Sequence, residues 1–163
     1  MYPTISIFTP AAQFILITIP CLAIMALIPW VLRNIGLCAL KKHFDNANPR
    51  LYLASLENEA LMNNLQAKYV LRCHACHLNA IENLICWWPA ALSALLFSYQ
   101  DNLALIITAI HFCLRFIYIL LYCFTDNQAF SYVRSMVWFS AWACPLIILF
   151  ECAHNIGKNA WKI

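Results

Sequence analysis

Four stretches of the chain stay apolar for about the 20 residues a helix needs to cross hydrocarbon, and polar segments separate them. The first runs from about Ala11 to Leu32 and carries Pro20 and Pro29, which kink a helix. No Lys or Arg precedes Arg33, and no small-residue cleavage pattern follows, so this is an uncleaved span rather than a signal peptide. A polar segment then extends to about Lys68. Within it, Asn48-Pro49 has the form of a helix start. The pattern predicts a long helix from about Glu59 to Ser98, amphipathic first and strongly apolar later. Ser98–Asn102 is a short turn, so the next span returns antiparallel. The last span contains Pro145. Spans are expected at 11–32, 76–98, 103–124 and 133–153.

Composition points the same way. Charged residues are 10% and hydrophobic residues 64%, with mean hydropathy +0.71. A soluble domain carries about 25% charged residues. The expected fold is all-α, an integral membrane four-helix bundle forming one domain over 1–163. Net charge +3 is too weak and scattered for a nucleic-acid footprint, so no nucleic-acid partner is expected. Nine cysteines, mostly inside apolar runs, read as small buried residues rather than a disulfide framework.

Basic residues set the orientation. Arg33, Lys41, Lys42, Arg50, Lys68 and Arg72 cluster in the first connection, and Arg134 borders the third. The positive-inside rule puts loops 33–72 and 125–132 in the cytoplasm, although Lys158 and Lys162 oppose it weakly.

An ionised side chain at a span's centre costs roughly 2.5–3.5 kcal/mol on insertion scales. Arg115 lies mid-span in the third helix and Glu82 just inside the second. Opposite charges suggest a structural ion pair, Glu82–Arg115. His111, Arg115, Tyr118 and Tyr122 fall on one stripe at 100° per residue. Arg72, Asn79, Glu82, Asn83 and Cys86 share a face of the second helix, and Arg134-Ser135 opens the fourth from the same end. Three spans thus aim polar groups at one region.

Cys73-His74-Ala75-Cys76-His77 fits the C-x-x-C-H pattern of haem c attachment and looks like zinc ligands. Haem attachment belongs on the outer face, and closed zinc sites draw ligands from turns or two elements. On one continuous helix His77 points about 100° away from Cys76. Neither metal nor haem is expected.

The run from Arg72 to Leu84 resembles the signature of the membrane-associated proteins in eicosanoid and glutathione metabolism, the MAPEG family. Arg72, His77, Asn79 and Glu82 match its R-x-x-x-x-[HQ]-x-N-x-x-E pattern. Arg115, Tyr118 and Tyr122 resemble its third-helix R-x-x-[YH]-x-x-x-Y pattern, and Arg134-Ser135 resembles its fourth-helix start. Asn46-Ala-Asn48-Pro49-Arg50 looks like the first cytoplasmic loop of bacterial members, which implies a bacterial inner membrane. The resemblance implies a homotrimer with glutathione, a co-substrate, bound between subunits near the cytoplasmic face. Asn79 and Glu82 would hold the tripeptide, with Arg72, His77, Tyr118, Tyr122 and Ser135 around it. Arg134 would be the catalytic group that lowers the thiol pKa. The spacing from Tyr122 to Arg134 is longer than in the eicosanoid enzymes, and Ala75 stands where many glutathione-using members carry another Arg.

The expected function is a glutathione-dependent transferase or peroxidase acting on lipophilic small molecules drawn from membrane lipid. The alternative is a family-shaped membrane protein that binds a lipid or a protein partner without chemistry.

Overall fold

The computed structural model describes residues 9–40, 45, 47–97 and 102–160. Five helices occupy them: α1 (Pro10–Ala39), α2 (Pro49–Leu61), α3 (Leu65–Phe97), α4 (Asn102–Phe124) and α5 (Gln128–Ala160). Four of these, all but α2, are long and apolar enough to span a membrane. The protein is a multi-pass integral membrane protein with an all-helical bundle. Lys41, Lys42, Asn46 and most of the 98–102 turn lie outside the described residues.

The spans are embedded in longer helices than the hydropathy pattern marks. α4, with 23 residues, is about 35 Å long and matches the bilayer closely. α3 and α5 have 33 residues each and α1 has 30, so they extend past the apolar slab. The long helix expected from Glu59 is broken. Asn63 adopts φ 68, which Asn tolerates in the left-handed region. The Asn64 carboxamide oxygen then accepts from the backbone N–H groups of Gln66 (3.0 Å) and Ala67 (3.2 Å), starting α3 anew. Pro49 does open a helix, but the preceding Asn48 side chain makes no capping bond. Instead, Asp45 Oδ1 accepts from the N–H groups of Ala47 and Asn48. Thr9 caps α1 by accepting from Ala12 N at 3.1 Å.

α3 is the hub and packs against α1, α2, α4 and α5. Its buried face is built of small residues, including Ala67, Cys73, Cys76, Ala80, Ala90, Ala91 and Ala94. In lipid there is no hydrophobic drive between helices, so close van der Waals approach must hold them. Gly36 of α1 shows how close: a Cβ there would meet Val70 Cγ2 at 2.8 Å. Beside it, Leu37, Leu56, Ala67 and Val70 form a small separate core that seats α2 on α1 and α3. Large apolar side chains such as Ile24, Ile85 and Phe150 point outward, as a lipid-facing surface requires.

Two proline-bearing helices each meet a histidine of a neighbouring helix. Pro145 has no N–H, so the Ala141 carbonyl four residues earlier lacks its helical donor. His111 Nδ1 of α4 lies 3.0 Å from that oxygen, and its ring stacks on Trp87 of α3 at 4.0 Å. On the other side of α3, His77 Nδ1 lies 2.8 Å from the Ala26 carbonyl of α1.

Candidate functional site

The α2 end of the bundle holds a cleft between α3, α4 and α5. Tyr118 and Tyr122 occupy the last two turns of α4, and Arg134 and Ser135 lie two turns into α5. Asn79 comes from α3. These five and the aromatic pair Trp138 and Phe139 line an open cleft of about 280 Å³.

Each polar group is held by its neighbours. The Asn79 side-chain amide donates to the Tyr118 hydroxyl at 2.8 Å, and the Tyr118 and Tyr122 rings meet edge to face at 5.4 Å. The Arg134 guanidinium sits 4.1 Å above the Tyr122 ring and donates to Ser131 Oγ at 3.0 Å. The longer Tyr122-to-Arg134 spacing is absorbed by the Thr125–Asn127 connection and the first turns of α5, which Asn127 caps through Ala129 N. Arg134 therefore still reaches Tyr122.

Arg115 lies beneath this layer and is only 2% exposed. Its Nη2 donates to the Asn79 carbonyl at 3.4 Å, and its guanidinium lies 4.7 Å from the Tyr118 ring centre. Here the structure corrects an expectation: Arg115 and Glu82 do not form an ion pair. Glu82 is exposed on the outer side of α3 while Arg115 points into the bundle. Three residues separate Glu82 from Asn79, which turns its side chain about 60° off the Asn79 direction.

The other expected site residues are dispersed. Asn79, Tyr118, Tyr122, Arg134 and Ser135 converge on the cleft, whereas His77 faces α1 through the Ala26 carbonyl. Arg72 lies two turns beyond Asn79 toward the α2 end and pairs with Asp126 of the α4–α5 connection, Nη1 to Oδ1 at 2.9 Å. The C-x-x-C-H residues also diverge. Cys73 and Cys76 are fully buried in the main core with Cys123, and His74 Nδ1 lies 3.4 Å from Arg33 Nη1.

Sequence reasoning missed Trp138, Phe139 and Asp126. No local signal separates the two aromatics from lipid-facing ones, since Phe139 is itself exposed. Asp126 sits in a short polar loop that reads as an ordinary turn.

The cleft's electrostatics are one-sided. Arg134 lines it and Arg115 underlies Tyr118, and among the described residues no carboxylate lines it. Such a site favours anions. It also has an apolar wall at Trp138 and Phe139, next to the lipid-facing surface. A model of the MAPEG family matches residues 17–154.

The chain belongs to the MAPEG family. The matched stretch contains every residue of the cleft. The family includes glutathione transferases and non-catalytic members. This MAPEG chain matches no curated protein and no solved structure.

Proposed function

We propose that this MAPEG protein binds glutathione in the arginine-walled cleft and transfers its thiolate to lipophilic electrophiles, or uses it to reduce lipid hydroperoxides. The observation that carries the reading is Arg134 fixed over the Tyr122 ring in a cleft that no carboxylate lines among the described residues. A free thiol has a pKa near 8.5–9 and is mostly protonated at neutral pH. A guanidinium about 5 Å away, at an effective dielectric near 20, favours the thiolate by on the order of 3 kcal/mol. That is enough to make the thiolate the main species at neutral pH. Arg134 acts on the sulfur, Asn79 and Tyr118 orient the peptide, and Trp138 and Phe139 receive the apolar substrate from the bilayer.

The active form in this reading is a homotrimer. Glu82 is exposed on α3 among Leu78, Ile81 and Ile85, which are also exposed. A carboxylate facing lipid there costs roughly 2.5–3.5 kcal/mol on insertion scales, and a neighbouring subunit removes that cost. Glu82 then meets the ligand's amino end across the subunit boundary. Arg33, Arg50, Lys68 and Arg72 gather at the α2 end, which supports placing the cleft on the cytoplasmic side of the membrane, a bacterial inner membrane in this reading.

His77 bound to α1 and Arg72 tied to Asp126 favour a second reading, a non-catalytic member that binds lipid or a partner. Conjugation of glutathione to a generic electrophile by the purified protein separates the two. Turnover that Arg134→Ala abolishes while the oligomer stays intact supports the enzyme. No turnover and no glutathione binding supports the second reading.

A further inference from the structure

The connection between α4 and α5 is short and strongly tied. The Thr125 hydroxyl donates to the Leu121 carbonyl, closing α4, and Asn127 caps α5 by accepting from Ala129 N at 2.9 Å. Asp126, between them, reaches back to α3. Its Oδ1 lies 2.9 Å from Arg72 Nη1, with the Arg72 side chain 20% exposed and Asp126 56% exposed. Arg72 Nε is buried and has no hydrogen-bond partner among the described residues. The guanidinium therefore holds one carboxylate oxygen and keeps donors in reserve, although its fork suits bidentate carboxylate binding.

Arg72 and Asn79 are seven residues apart on α3. Seven residues are two turns, so the two side chains share a face about 10 Å apart along the axis. An extended tripeptide spans about 10 Å. A ligand lying along this face with its sulfur near Arg134 would bring a terminal carboxylate to Arg72. Asp126 occupies that position.

We infer that Asp126 is a stand-in carboxylate: it holds Arg72 in place, and a ligand's carboxylate must displace it to bind. The inference rests on the glutathione reading for the identity of that ligand. Asp126 thereby tunes affinity for the anionic end. Because it joins α3 to the start of α5, its release also frees the helix that carries Arg134. A merely structural tether behaves differently, since its loss would loosen α5 and weaken binding.

The test compares wild type, Asp126→Ala, Arg72→Met and the double variant, all as full-length protein in detergent. Asp126 is exposed in a loop, so its replacement leaves the fold intact. With S-hexylglutathione as probe, Asp126→Ala binds about threefold tighter, the scale of one exposed ion pair. The double variant loses that gain. Equal or weaker binding by Asp126→Ala than by wild type overturns the inference. A second arm uses sulfate against chloride at matched ionic strength, a probe independent of glutathione. Sulfate raises the melting temperature of Asp126→Ala more than that of wild type, and the excess vanishes in the double variant. If no protein binds the glutathione probe but this sulfate excess is present, the glutathione reading fails and the stand-in role holds. If the sulfate excess is absent, the stand-in role fails whatever the probe shows.

Discussion

His111 of α4 supplies a hydrogen bond that Pro145 denies to its own helix. The Ala141 carbonyl is the shared partner, 3.0 Å from His111 Nδ1. The proline-bearing turn of α5 is thus tied to α4 deep in the bundle, below the cleft that both helices line. Replacing His111 by Leu leaves that carbonyl unsatisfied and costs about 1–3 kcal/mol. In a Pro145→Ala background the new N–H takes up the carbonyl, so the same replacement costs less. Unfolding titrations of the four proteins in detergent check this, and equal losses in both backgrounds would count against it.

Arg115 and Glu82 are independent. Arg115 spends its charge on the Asn79 carbonyl and the Tyr118 ring, and Glu82 points away from it. Stability losses in Glu82→Gln and Arg115→Met should therefore add to within about 0.5 kcal/mol in the double variant. Coupling above 1 kcal/mol would restore the ion pair.

Gly36 sets the α1–α3 distance. A Cβ at this position would lie 2.8 Å from Val70 Cγ2 and 3.2 Å from the Tyr69 ring. Gly36→Ala is expected to destabilise by about 1–3 kcal/mol through overpacking. A paired Val70→Ala change should recover part of that loss, and a melting series of single and double variants reads it out.

Much of this architecture was legible in the pattern of apolar residues. Lipid permits few alternatives to long helices, so hydropathy alone predicted four spans. The convergence of Asn79, Tyr118, Tyr122 and Arg134 was legible for the same reason, since polar groups inside spans must face the bundle. What the pattern does not carry is rotation and detail. A broad helix face includes both Asn79 and Glu82, but packing of α3 turns one inward and leaves the other outside. The break at Asn63-Asn64 was hidden because amphipathic residues continue on both sides of it. Asp126 was hidden because an ion pair between a loop and a distant helix has no periodicity.

In the proposed function Arg134, held over Tyr122, ionises a bound thiol. The most direct test of this is the ultraviolet thiolate absorbance on mixing glutathione with the purified protein at neutral pH. The account predicts a thiolate signal in wild type and a loss of about 10²-fold or more in conjugation rate, together with that signal, in Arg134→Ala. A thiolate signal of undiminished size in Arg134→Ala, or none in wild type with glutathione bound, would contradict it.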